Sequence, residues 1–226
     1  MVRRLIRGTG ELLLTAGVVL LLLVVYQLWW TNVSAARAAD AGRAALEQTW
    51  AQQPAGATPA PTAAASKPAL GDPIALLYVP RLRDKVWAAP VLQGVGLEQL
   101  AEGVGHYPRS AMPGELGNFA LAAHRATHGE PFRDIDRLRD GDQVIVETKD
   151  TWYVYVLDKD RIVQPTDVWV VDPVPGAAAG TTPTRALITL TTCNPRWASY
   201  ERWIWWGTLS QTLPKSQGTP AAITAG

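Results

Sequence analysis

Hydrophobic and polar positions are arranged along this chain in three different ways. Residues 12–30 are almost all apolar and carry no charge; at about 1.5 Å of rise per residue, such a run spans roughly the 30 Å hydrocarbon core of a bilayer. It predicts one transmembrane helix. Residues 33–53 are rich in Ala, with Leu46 and Trp50 four positions apart, a spacing that favours a helical stalk continuing the first helix. Residues 54–68 are nearly all Ala, Pro, Thr and Gly, a composition that builds no core and favours an extended spacer of about 3.1 Å per residue. Such a spacer would hold a following domain tens of ångströms from the lipid.

From residue 71 the pattern changes to short apolar runs broken by Gly, Pro and Asp, the texture of a mainly β domain. Strands are expected at 74–79, 86–91, 118–123, 144–148, 152–157, 160–163, 168–171, 186–191 and 202–206, enough for a closed barrel. The pair 144–148 and 152–157 reads as a hairpin turning at Lys149 and Asp150. Two helical stretches, 97–103 and 131–138, are expected to lie as lids on the barrel; in the second, Phe132, Ile135 and Leu138 recur every three residues. The organisation is then a cytoplasmic N-terminus at 1–11, the membrane helix at 12–30, stalk and linker at 31–70, and a globular domain with a C-terminal tail at 71–226.

Charge adds a direction and an exclusion. Arg3, Arg4 and Arg7 precede the apolar run, so the positive-inside rule places the N-terminus in the cytoplasm, everything after Trp30 outside, and Trp29 and Trp30 at the outer interface. A cleaved signal peptide is the competing reading, with Ala35, Ala36, Ala38 and Ala39 as small residues for cleavage; the length of the run and the interfacial tryptophans speak against it. A formal net charge of +1, with no basic cluster, excludes nucleic acid as the main partner. Asp134, Asp136, Asp140 and Asp142 are dense but lack EF-hand spacing, and neither a metal nor another cofactor is expected.

A chain with 1 Cys forms no internal disulfide and no multi-thiolate metal site, so Cys193 is either a buried small hydrophobe or a reactive thiol. Its position favours reactivity, because it ends a core strand and is followed by the turn formers Asn194 and Pro195. His124 ends the strand 118–123 in the same manner, whereas His106 and His128 read as surface or capping residues. Arg202 opens the last strand, on the face shared with Ile204 and Trp206 and away from Trp203 and Trp205. A guanidinium near a thiol stabilises the thiolate and donates to the oxyanion formed when sulfur attacks a carbonyl. The tryptophans Trp197, Trp203, Trp205 and Trp206 either wall a substrate groove or fill the barrel.

Residues 189–193 read TLTTC, His124 stands in LAAHR, and the arginine follows the cysteine after a short loop. In these elements the chain resembles the sortases. GHYP at 105–108 and MPGELGNFALAAHR at 112–125 make it most like class E sortases of high-GC Gram-positive bacteria, over roughly residues 71–207. The resemblance implies an eight-stranded β-barrel and a cysteine transpeptidase that cleaves a C-terminal sorting signal between Thr and Gly. It implies Cys193 as nucleophile, His124 as acid for the leaving glycine amine and base for the incoming amine, and Arg202 as clamp on oxyanion and substrate. Thr192, beside the nucleophile, is an implied substrate contact, as is Tyr107, which matches a tyrosine associated with a preference for LAXTG over LPXTG. Implied partners are secreted proteins bearing that signal and, as acceptor, a lipid-linked cell-wall precursor or a pilin amine. The enzyme would be single-pass in the cell membrane with its catalytic domain outside.

Ordinary pKa values, near 8.5 for Cys and 6.5 for His, leave about 1% of molecules with thiolate and imidazolium together at pH 7.5. That small fraction agrees with slow chemistry. Two rival enzymes fit less well: an L,D-transpeptidase places its cysteine in a Ser-His-Gly-Cys run, where this chain has Thr191 and Thr192, and papain-like wall hydrolases place Cys before His. A non-catalytic wall-binding β-domain with Cys193 buried is the reading from a different class.

Overall fold

The computed structural model describes residues 2–52 and 68–224. A single helix, α1 (Val2–Gln52), precedes the strands β1 (Pro73–Tyr78) and β2 (Ala89–Gln93), the helix α2 (Leu97–Glu102), and β3 (Val104–His106) and β4 (Gly117–Ala122). There follow β5 (Gln143–Glu147), β6 (Thr151–Val163), β7 (Ala186–Asn194), β8 (Glu201–Pro214) and a last helical turn, α3 (Ala221–Thr224). The strands close into a barrel in the order β1-β2-β3-β4-β7-β8-β6-β5. This is the mainly β, eight-stranded architecture that the resemblance implied.

Period-two alternation sorts each strand into an inner and an outer face. Leu77 of β1, Leu121 of β4, Val146 of β5, Leu190 of β7 and Trp205 of β8 belong to the core inside the barrel. Outer faces are covered locally. Leu76, Tyr78, Ile145 and Trp152 pack with Leu46 of α1, whose side chain is 5% exposed; burying it contributes about 2 kcal/mol. Val163, Ile204 and Trp206 form a separate cluster under Val170.

Several elements differ from expectation for identifiable reasons. The stretches 152–157 and 160–163 are one strand: the polar residues Asp158, Lys159 and Asp160 read as a break, but a register shift between Leu157 and Lys159 lets β6 continue along the long β8. Residues 168–171 are a 3-10 turn, not a strand; Val168 is 71% exposed and Val170 is 6% exposed, so the run caps the outer cluster. The three-residue β3 was too short to register in the pattern. Only Ile135–Arg137 of the expected helix 131–138 is helical, and as a 3-10 turn. The spacing of three that places Phe132, Ile135 and Leu138 in the core is the period of that tighter helix.

The lid role expected of 97–103 is not what α2 does: it buries no residue and carries the crossover between the parallel strands β2 and β3. The extended spacer expected at 54–68 lies, apart from Pro68, outside the described residues.

Candidate active site

Three neighbouring strands position the reactive candidates. β4 and β7 run parallel, with Ala120 opposite Thr189 and Ala122 opposite Thr191; that register, carried two residues further, sets His124 beside Cys193. β8 runs antiparallel to β7 with Arg202 opposite Cys193. Neighbouring strands lie about 4.8 Å apart and opposed residues share a face, so His124, Cys193 and Arg202 form one row across three strands. The cysteine is in the middle. The row faces outward, because the inward positions of the same strands are taken by Leu121, Leu190 and Trp205.

Cys193 is partly exposed and lines a cavity of about 310 Å³ together with His124, Thr127, Arg196 and Trp197. Arg202 shares their row, but its Nη1 donates to the carbonyls of Ser199 and Glu201 at 3.0 and 2.9 Å. That holds the guanidinium at the base of the loop 195–200. Burial, and then the neighbouring His128, hold the His124 imidazole below its ordinary value of 6.5. The two rings stack with centroids 4.8 Å apart, which places His128 at the site and not at a helix cap. Both causes favour the neutral imidazole of His124.

The rows on either side of the reactive one tie the strands together. On one side, the Thr192 hydroxyl donates to the Ala123 carbonyl at 2.7 Å. On the other, Arg125 Nη1 donates to Asn194 Oδ1 at 2.6 Å, and Asn194 Nδ2 donates to Glu201 Oε2 at 2.7 Å. Arg125 is 7% exposed, also donates to Asp136 Oδ1 at 3.1 Å and lies over the Trp203 ring at 5.0 Å. These bracing residues were missed in the sequence. Their signal was adjacency, an Arg, an Asn and a Glu each one position from a reactive candidate.

The loop after His124 is unusual in its backbone: Thr127, His128, Gly129 and Glu130 have φ of 73, 48, 77 and 54°. For the non-glycine residues the left-handed conformation costs about 1–2 kcal/mol each. Glu130, 5% exposed, offsets that cost. Its Oε2 accepts from Arg196 at 3.1 Å and Arg133 at 3.3 Å, and its Oε1 accepts from the Thr127 amide at 3.4 Å.

Two of the remaining sequence candidates are placed differently from expectation. Thr192 is 3% exposed and points inward, as the neighbour of an outward-facing cysteine must; it is a brace between strands, not a groove residue. His106, expected at the surface, is fully buried with Nδ1 2.7 Å from Gln93 Oε1. Tyr107 lines a cavity of about 500 Å³ with Val168, Val171 and Pro173. Its hydroxyl is 3.5 Å from Thr191 Oγ1, and Thr191 shares the outer face of β7 with Cys193. The tryptophans divide: Trp205 belongs to the barrel core and the half-buried Trp203 packs against it, Trp206 belongs to the outer cluster, and Trp197 is 68% exposed beside the thiol.

Comparison with known proteins is consistent with this geometry. The family model described as the Sortase domain matches residues 77–210. The chain is 39% identical over 230 aligned residues to Sortase SrtE1 of Streptomyces coelicolor, covering 97% of this chain and 61% of that protein. It is 41% identical over 214 residues to Sortase SrtE2 of the same organism, covering 90% of this chain and 81% of that protein. The crystal structure of Sortase E1 from Streptomyces coelicolor with a tripeptide in the active site superposes with a TM-score of 0.60 at 40% identity, covering 67% of this chain and 96% of that one. A barrel with His124 two residues past the end of β4, Cys193 near the end of the parallel β7 and Arg202 opposite it on β8 thus coincides with the matched region, and the chain belongs to the sortase family.

Proposed function

We propose that this protein is a membrane-anchored cysteine transpeptidase acting on the outer side of the cell membrane, with Cys193, His124 and Arg202 as its catalytic residues. What supports the reading is the outward pair of Cys193 on β7 and Arg202 on β8, together with the β4–β7 register, which, carried two residues past Ala122, brings His124 into the same row. The Cys193 thiolate attacks the Thr carbonyl of a C-terminal sorting signal, and the electron pair moves onto oxygen. Arg202, turning from the Ser199 carbonyl, donates hydrogen bonds to that oxyanion. As the Thr–Gly bond breaks, His124 gives its proton to the leaving glycine amine. The oxyanion collapses to a thioacyl group; an incoming amine then attacks that group, its proton passes to His124, and sulfur leaves as the Cys193 thiolate, which restores the starting thiolate and imidazolium.

The substrate class follows from the likeness to class E enzymes: a LAXTG-type signal on secreted proteins, with Tyr107 on the wall that meets the second signal residue. The acceptor would be a lipid-linked wall precursor or a pilin amine. The relative solved with a tripeptide in its active site supports a peptide ligand here. The apolar half of α1 is long and apolar enough to cross a membrane, and Arg3, Arg4 and Arg7 before it favour a cytoplasmic N-terminus. Incubating the purified chain with a fluorogenic LAXTG peptide and a glycine amine tests the proposal. Transfer product that disappears in Cys193→Ala is expected; turnover unchanged in that variant would overturn it.

A further inference from the structure

Helix α1 has two different surfaces. Within residues 12–30 the side chains lie open, with Leu13, Leu21 and Trp29 67%, 64% and 61% exposed. Beyond Trp30 a stripe at helical spacing turns toward the barrel. Ala35 and Leu46 are each 5% exposed, a Cβ on Gly42 would lie 3.5 Å from Pro90 Cβ, and Lys215 Nζ lies 4.3 Å from the Trp50 ring centroid. The contact nearest the apolar half is made by the reactive end of the barrel: the Gly129 amide donates to Asn32 Oδ1 at 2.9 Å. Gly129 belongs to the loop that follows His124. Its neighbour Glu130 binds Arg196 of the loop that follows Cys193.

The helix serves as a ruler. Asn32 lies two residues past Trp30, about 3 Å along the axis, whereas Trp50 lies eighteen residues beyond Asn32, about 27 Å further. Two contacts so far apart fix which end of the barrel is down. Taking residues 12–30 as the transmembrane segment, a reading on which this one rests, we infer that the catalytic face is docked on the bilayer and that its partner is the lipid–water interface. The loop 195–200 then lies in the headgroup layer. It offers Trp197 and Tyr200, 68% and 76% exposed, with the Arg196 guanidinium 4.6 Å from the Trp197 ring centroid. Aromatic rings with a polar edge beside a cation are the composition that this layer favours.

The orientation replaces the picture of a domain held away from the lipid by its spacer. The barrel lies along the second half of α1, in contact with it from Asn32 to Trp50. A lipid-linked acceptor would meet the thioacyl group where it leaves the membrane.

The chain's 1 Cys makes the test direct. Full-length protein is placed in nanodiscs of phosphatidylcholine and phosphatidylglycerol, a donor dye is attached to Cys193, and acceptor dyes are placed on lipid headgroups. Docking predicts a donor-to-headgroup distance below about 30 Å, since α1 rises only about 3 Å between Trp30 and Asn32. A free spacer over 54–68 adds roughly 45 Å instead, and any distance beyond about 30 Å overturns the inference. The pair Asn32→Ala with Leu46→Asp, which breaks the stripe, is expected to lengthen the distance; an unchanged distance also counts against docking. Flotation of the same protein with liposomes reads the anchor separately. A chain that fails to float removes the transmembrane reading itself, whereas one that floats with a distant donor removes docking alone.

Discussion

Replacing Thr192 by Val changes one buried group while nearly keeping its shape. The side chain is 3% exposed, and its hydroxyl donates to the carbonyl of Ala123 at 2.7 Å. An intramolecular hydrogen bond contributes about 0.5–1.5 kcal/mol net, and a buried acceptor left unpaired costs about 1–3 kcal/mol. The expected loss is therefore about 2 kcal/mol. For a domain of this size that lowers Tm by roughly 4–8 °C, read by thermal unfolding of the full chain in nanodiscs. Kinetics should change as well, because Ala123 precedes His124 and Thr192 precedes Cys193. On the proposed mechanism, a shift of about 1 Å between His124 and Cys193 costs up to about a hundredfold, and it should appear in kcat with KM little affected. Thr192→Ser, which keeps the donor, is expected to recover most of the lost Tm. A substrate contact would give the opposite split, a raised KM with an unchanged Tm. A Thr192→Val protein within about 0.5 kcal/mol of the parent, the range of an ordinary surface change, refutes the bracing role.

Other outcomes follow from the same geometry. Arg202→Lys keeps the charge but loses the planar fork, and kcat should fall by about a hundredfold or more, as on removal of an oxyanion donor; unchanged kcat would place the oxyanion elsewhere. His128→Gln removes the second cause of the lowered His124 value. The acid limb of kcat/KM should then move to higher pH, and the plateau should rise by about tenfold for each unit of that movement if the thiolate–imidazolium minority is the active form; a limb that stays in place counts against that form. Burial also holds His106 below its ordinary value of 6.5. A depressed histidine contributes its stability fully above that value and loses it as pH falls through and below it. Tm should therefore be flat above about pH 7 and decline as pH falls below about 6.5, with a shallower decline in His106→Gln. An equally steep decline in that variant would assign the pH dependence to other groups.

Much of the site was legible because strands near it are regular. Alternation placed Arg202 on the face of Ile204 and Trp206, which the structure shows to be the outer one, and the ends of the expected strands 118–123 and 186–191 marked His124 and Cys193 as displayed groups. The row itself was not legible, since the register between β4, β7 and β8 depends on pairings between distant segments. Thr192 could have been read correctly from the same alternation that turned Cys193 outward. Elsewhere the pattern misled for local reasons. Val168, Trp169, Val170 and Val171 have the composition of a strand and the spacing of a 3-10 turn, and the bulge after Leu157 hid the continuity of β6 under three polar residues. The docking stripe on α1 was visible only at Leu46 and Trp50. Its remaining members, Asn32, Ala35 and Gly42, are polar or too small to mark a hydrophobic face.

The most direct test of the account is the fate of the sulfur atom. Intact-mass measurement of the full chain mixed with a LAXTG peptide, without an acceptor amine, should show an added mass equal to the signal up to and including its Thr. Peptide mapping should place that mass on Cys193, and addition of a glycine amine should remove it with release of the joined peptide. Cleavage of the peptide with no adduct on Cys193, or an adduct that no amine can discharge, would contradict the account.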